Sequence, residues 1–107
     1  MENLQGGRIM ATADYTDGLL HRLQDPEYAS EYLNEALNEE SQEIFMLALR
    51  DVAKAMGFAK AARESNLNRE SMYKMLSERG NPNLSSLTKL LDTFGLTLAV
   101  IKKETVA

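Results

Sequence analysis

Residues 58–77 constrain the fold most, because they predict two short helices separated by a sharp turn. The first half places small side chains where a second helix can approach closely: Ala59, Ala61 and Ala62. Asn66 can adopt the left-handed backbone that a tight helix–helix turn needs, at modest cost. Asn68 is a good N-cap for the helix that follows. The stretch therefore predicts a helix, a turn and a second helix.

The second of these helices has an apolar face and a polar face. Met72, Met75 and Leu76 recur at the i, i+3, i+4 spacing of a buried helical face. The helix is predicted to run over 69–79 and to stop at Gly80. The polar face holds Arg69, Glu70, Ser71, Tyr73 and Lys74. Such residues at the N-terminal end are what a DNA recognition helix uses to reach base edges.

This stretch resembles a helix-turn-helix of the lambda repressor and Cro (Xre) type. Three further segments make the chain similar to the addiction-module antidote proteins, which are HigA-like antitoxins: residues 76–91, Tyr-Leu-Asn-Glu-Ala-Leu (32–37) and Leu-Ala-Leu-Arg-Asp-Val-Ala-Lys-Ala (47–55). The most specific part is Arg-Glu-Ser-Met-Tyr-Lys (69–74) followed by Gly-Asn-Pro-Asn-Leu-Ser (80–85). The chain departs from the family pattern at two places: Asn66 replaces the usual turn glycine, and Ala59-Lys60 stands where many Xre domains place a phosphate-contacting glutamine.

The resemblance implies an all-α fold: a five-helix lambda-repressor-like domain over 41–101, an N-terminal helical extension over 10–40 and one short C-terminal β-strand. Residues 1–9 look like a cloning remnant, and residues 102–107 form a tail. The implied function is a dimeric autorepressor that binds and neutralises a RelE-superfamily (HigB-like) toxin. The alternatives are a solitary Xre-family regulator without a toxin, and a protein-interaction module that no longer binds DNA.

Length and composition limit the number of domains, the cysteine chemistry and the location of the chain. A chain of 107 residues predicts one domain, and the lack of cysteine excludes disulfides, thiolate metal sites and thiol nucleophiles. No apolar run approaches the ~18 residues of a membrane span, and no secretory pattern opens the chain. We therefore expect a cytoplasmic protein with no membrane partner.

Catalytic motifs are missing from the sequence. It has no nucleophile elbow, no phosphate-binding glycine loop and no zinc-ligand spacing. His21 is the only histidine, and neither Ser71 nor Tyr73 has a histidine near it in sequence. We expect a protein that is not an enzyme and that needs no cofactor or metal.

Charge is divided unevenly along the chain, although the total is only −4. Residues 1–53 hold 3 Lys or Arg and 11 Asp or Glu, a net −8, whereas residues 54–89 hold 7 and 3, a net +4. Phosphate attraction depends on the local patch, so the basic segment predicts a DNA face. The alternative is that these charges only solvate helix surfaces.

The predicted partner of the basic segment is double-stranded DNA with a pseudo-palindromic operator. The residues expected to grip phosphates are Lys60, Arg63, Asn83, Ser86 and Lys89. The residues expected to face the groove are Asn68, Arg69, Glu70, Tyr73 and Lys74. Arg69 is the natural guanine reader, and Glu70 either accepts from cytosine or holds Arg69 in place. Tyr73 either touches a thymine methyl or packs on a neighbouring helix.

The acidic N-terminal region, from about Asp25 to Glu43, is the predicted face for the toxin or another basic partner. The residues chosen for this role are Glu31, Glu35 and Glu39. The alternatives are a solvated helix face and a divalent metal site built from neighbouring carboxylates.

Capping residues and apolar periodicity place the other helices. Asp17 and Asp25 are predicted to cap the first two, and Ser41 to begin a core helix that ends before Gly57. Its predicted apolar stripe is Ile44, Phe45, Ala48, Leu49, Val52, Ala55 and Met56. The last helix is predicted to be capped by Ser85 or Ser86 and ended by Gly95.

The C-terminal segment 96–101 is aliphatic with period-two spacing, and it is the only predicted strand. A lone strand leaves backbone groups unpaired, so its predicted partner is the same segment of a second copy across a two-fold axis. The predicted dimer interface is Leu96, Thr97, Leu98, Ala99, Val100 and Ile101. The alternatives are a strand that lies on its own core, one that pairs weakly with the N-terminus, and capture of its edge by the toxin.

Overall fold

The computed structural model describes residues 17–77 and 79–104. These residues form six helices: α1 (residues 17–22), α2 (Pro26–Leu37), α3 (Gln42–Met56), α4 (Phe58–Ser65), α5 (Arg69–Met75) and α6 (Leu84–Thr93). They contain no β-strand, in agreement with the all-α prediction. None of these helices is both long and apolar enough to cross a bilayer. The predicted cloning remnant and the last three residues lie outside the described ranges.

Local capping chemistry starts α2, α3 and α5 at the residues that the sequence predicts, which are Asp25, Ser41 and Asn68. The Asp25 carboxylate accepts from the Glu27 N–H at 3.2 Å, and the Ser41 hydroxyl accepts from the Glu43 N–H at 3.1 Å. The prediction for α6 is wrong, because its N-cap is Asn83 and not Ser85 or Ser86. The Asn83 side chain accepts from the Ser86 N–H at 2.8 Å, which satisfies a free donor of the first turn.

Helix α5 ends at Met75, earlier than the predicted 79. Side chains donate hydrogen bonds to carbonyls at this end of the helix. Ser77 Oγ donates to the Lys74 carbonyl at 2.9 Å, and Arg50 Nε donates to the Leu76 carbonyl at 2.8 Å. A serine side chain and a tertiary contact from α3 therefore supply hydrogen bonds to carbonyls at the point where the helix stops.

The turn between α4 and α5 has the predicted geometry. Asn66 has φ 65° and ψ 27°, and it is the only described non-glycine residue with a positive φ. The Leu67 N–H bonds to the Ala62 carbonyl at 3.0 Å, which closes the end of α4. Ala61 and Ala62 are buried, so their small side chains let neighbouring helices approach.

The buried residues form one core to which α1 through α6 contribute, and α2 packs along α3. The largest fully buried side chains are Met46, Leu49, Met72, Leu76 and Leu90. One detail of the predicted apolar stripe of α3 is wrong, because Ile44 is 41% exposed. Met46 is buried instead, because the face of α3 that carries Met46, Leu49 and Ala53 packs against the neighbouring helices.

The predicted C-terminal strand is not observed, because residues 96–104 adopt neither helix nor strand. Val100 is 98% exposed and Ile101 is 85% exposed. Helix α6 therefore does not cover them, which disfavours a strand that lies on its own core. A strand requires a hydrogen-bonded neighbour, so pairing with a second copy stays a prediction.

Candidate nucleic-acid interface

Helix α5 presents its polar side chains to solvent, as the sequence predicts. Met72 is fully buried, whereas the other face exposes Arg69, Glu70, Ser71, Tyr73 and Lys74. Asn68 fixes the start of the helix because its side-chain oxygen accepts from the Ser71 N–H at 2.6 Å. The burial of Met72 and the cap by Asn68 therefore fix the direction in which the polar face of α5 points.

Arg69 is braced by an aromatic pair. Its Nη2 donates to the Tyr73 hydroxyl at 3.4 Å, and its guanidinium carbon lies 5.7 Å from the Tyr73 ring centroid. The Tyr73 ring in turn lies 4.9 Å from the Phe58 ring of α4, at an interplanar angle of 43°. Tyr73 therefore contacts Arg69 directly, and the holding role of Glu70 stays a prediction.

Tyr73 packs on a neighbouring helix, which is one of its two predicted roles, and the contact with a thymine methyl stays a prediction. One side of the ring packs against Phe58, yet the side chain remains 46% exposed. The packing alternative is therefore correct, and enough of the ring is left for a contact with a ligand. A ring fixed on one side also limits the rotamers of the arginine stacked near it.

The start of α6 lies beside α5. Ser71 and Lys74 of α5 share a cleft of about 490 Å³ with Asn83 and Ser86, and with Arg79 of the connecting loop. Two predicted phosphate-gripping residues, Asn83 and Ser86, are thus next to Lys74, one of the predicted groove residues. Arg79 was missed by sequence reasoning, although it is one of the seven basic residues of the positive segment.

The two asparagines of this surface are caps as well as candidate contacts. Each side-chain oxygen is occupied by a backbone N–H, from Ser71 for Asn68 and from Ser86 for Asn83. The amide NH₂ group is the donor that each could offer to DNA. Replacing either residue would disturb a helix start together with any DNA contact.

The remaining predicted phosphate contacts are exposed but are not part of this cleft. Lys60 lines a different cleft, together with Leu23, Gln24 and Phe94. Arg63 and Lys89 are exposed on α4 and α6. The structure therefore groups Lys74, Arg79, Asn83 and Ser86, and it does not bring Lys60 into the group.

The predicted toxin-binding residues Glu31, Glu35 and Glu39 are all exposed. Glu35 and Glu39 line a cleft between α2 and α3, and Asp51 of α3 joins them there, whereas Glu31 does not line it. Within the described ranges, no three His, Cys, Asp or Glu side chains are grouped so that they could hold a metal ion. The metal alternative gains no support from these carboxylates.

Comparison with known proteins gives the family. A family model described as "Probable addiction module antidote protein" matches residues 14–102, which is most of the chain. The chain belongs to this antidote family. A relative from Haemophilus influenzae, described as an uncharacterized protein, is 38% identical over 69 residues, covering 64% of this chain and 71% of that protein. No solved structure matches the chain. Membership of the antidote family implies a toxin partner and a role in a toxin–antitoxin system.

Proposed function

We propose that this antidote protein is a dimeric DNA-binding autorepressor that also neutralises a RelE-superfamily, HigB-like toxin. The observation that carries the DNA-binding half is the polar face of α5, with Arg69 braced on Tyr73 beside the start of α6. The antitoxin half follows from the family, which disfavours a solitary regulator without a toxin. The protein acts by recognition, not by catalysis.

In this proposal α4, its turn and α5 act as a helix-turn-helix of the lambda repressor type. Helix α5 enters the major groove, where the Arg69 fork matches the two acceptors of guanine. Lys74, Arg79, Asn83 and Ser86 hold the phosphates on one side of it, because they line one cleft with Ser71. Bracing by Tyr73 means that Arg69 loses less side-chain freedom on binding.

A dimer is needed because seven residues of α5 cover only about 10 Å of groove. Two copies related by a dyad would read half-sites about 34 Å apart, which is one turn of DNA. Segment 96–101, which is exposed from Thr97 onward, is the proposed interface, in which two copies pair antiparallel. Pairing would satisfy backbone groups around Val100 and Ile101 and place cross-strand neighbours beside these side chains, which the single chain leaves almost fully exposed.

The DNA-reading role predicts that Arg69→Ala weakens binding to the operator upstream of its own gene by about 1–3 kcal/mol. Binding to random DNA should change much less, because phosphates carry no sequence information. Arg69→Lys is the matched control: it keeps the charge but loses the fork, so it should also lose specificity. Fluorescence anisotropy over a salt series measures the dissociation constants for the operator and for random DNA. Equal losses on operator and random DNA would contradict the groove assignment.

The dimer prediction is tested by Ala99→Pro, which removes a backbone donor from the middle of segment 96–101. We expect the full-length variant to sediment as a monomer with unchanged helical content. Ala99→Val keeps the donor and should remain dimeric. Sedimentation equilibrium gives the mass, and circular dichroism checks the helices. A proline variant that dimerises with unchanged affinity would place the interface on the helices instead.

A further inference from the structure

The cleft between α2 and α3 is the second functional candidate on the surface. It has a volume of about 350 Å³ and combines apolar walls with an acidic rim. Ile44 and Leu47 supply the exposed apolar side chains, and Glu35, Glu39 and Asp51 supply the carboxylates. It shares no lining residue with the cleft between α5 and α6.

The apolar part of this cleft is formed by neighbours on one helix. Ile44 and Leu47 are three residues apart on α3, so their side chains are adjacent along its surface, and each is 41% exposed. Buried Leu49, only two residues further on, shows that this exposed side is not the core face of α3. Two adjacent aliphatic side chains at a concave site can receive an apolar side chain from a partner.

The carboxylates on the rim of the cleft favour a positively charged partner. Glu35 lies in the last turn of α2 and Glu39 just beyond the end of that helix, and no lysine, arginine or histidine is among the described residues that line the cleft. The Tyr32 hydroxyl donates to Asp51 Oδ2 at 2.7 Å, which holds that carboxylate in place. Carboxylates on the rim of an apolar cleft complement the charge of lysine or arginine side chains on a protein segment.

We propose that this cleft binds the toxin through a basic amphipathic segment. An aliphatic or aromatic side chain of the toxin enters between Ile44 and Leu47, and flanking Lys or Arg side chains pair with Glu35, Glu39 and Asp51. This inference rests on the proposed antitoxin function. It also revises the sequence prediction, because Asp51 joins the contact set and Glu31 leaves it.

The test uses the purified full-length protein and the purified product of the gene adjacent to its own. Isothermal titration should show that the double variant Ile44→Ala with Leu47→Ala binds this product at least about 10-fold more weakly. Glu35→Lys with Glu39→Lys should weaken it by a similar factor and remove most of the salt dependence. Glu31→Lys is the matched control, on the same helix but outside the cleft, and it should stay within about twofold.

Operator binding should be unchanged in every variant, which confirms that each is folded. If the charge variants weaken binding but the alanine pair does not, charge acts only by steering and the cleft proposal is overturned. It is also overturned if both variants bind like wild type while wild type binds the adjacent product. If wild type does not bind that product at all, the proposed antitoxin pairing fails, and this inference fails with it.

Discussion

Replacing Leu49 by alanine should lower the free energy of unfolding by about 2–5 kcal/mol. Leu49 has no exposed surface and lies in the middle of α3, the helix that packs against both α2 and α4. Alanine would leave a cavity there, since the surrounding helices can collapse only in part. A domain of this size has about 5–15 kcal/mol of stability in total, so the loss would be a large share of it.

Leu47→Ala is the matched control for Leu49→Ala. It makes the same chemical change two residues away on the same helix, at a side chain that is 41% exposed. We expect it to cost about 0.5 kcal/mol, the usual range for surface substitutions. Urea denaturation measures both values. Similar losses for the two variants would mean that α3 presents a different face to the core, and they would also undermine the α2–α3 cleft.

Features that depend on a few neighbouring residues could be predicted from the sequence. Asp25, Ser41 and Asn68 cap helices through bonds to residues two or three positions away, so the residue type alone points to the helix start. The left-handed Asn66 belongs to the same class, because few residue types adopt that conformation. Periodicity likewise identified the exposed face of α5.

Features set by tertiary contacts could not be predicted. Helix α5 stops early at a point where Arg50, 26 positions away in sequence, donates to the Leu76 carbonyl. The periodicity of α3 suits more than one buried face, and packing of α2 and α4 selects the one that exposes Ile44. Both Asn83 and Ser85 are residue types that commonly serve as N-caps, so the sequence alone does not show that α6 begins at Asn83.

The candidate interface shows the same division. The brace between Arg69 and Tyr73 joins residues four apart on one helix, so its spacing was visible in the sequence. The place of Arg79 was not visible, because a helix extended to 79 puts that side chain on a helical surface and not in a loop beside α6. Lys60 carries the right charge, but charge alone does not reveal which cleft a residue lines.

The loop that carries Arg79 gives the second large prediction: Gly80→Ala should destabilise the protein by about 3 kcal/mol, at the upper end for overpacking. Gly80 is buried, and a β-carbon there would overlap the Met75 carbonyl oxygen and lie 3.0 Å from that of Ser77. These are backbone atoms and cannot rotate away. The Gly80 N–H donates to the Ser77 carbonyl at 2.8 Å, and the Gly80 carbonyl accepts from Gln42 Nε2 at 3.4 Å, so the loop has little freedom to shift.

Gly18→Ala is the control for this change, because it adds the same methyl group in the described part of α1. The nearest atom there is Arg22 Nη1 at 3.2 Å, the end of a flexible side chain, and alanine favours a helix by about 0.5–1 kcal/mol. We therefore expect Gly18→Ala to be neutral or stabilising in urea denaturation.

Gly80→Ala should in addition weaken operator binding, since moving the loop shifts Arg79 and Asn83 away from Lys74. Unchanged stability and operator affinity in Gly80→Ala would mean that this loop does not position Arg79 and Asn83 beside Lys74, and the α5–α6 cleft would lose its proposed role in gripping phosphates.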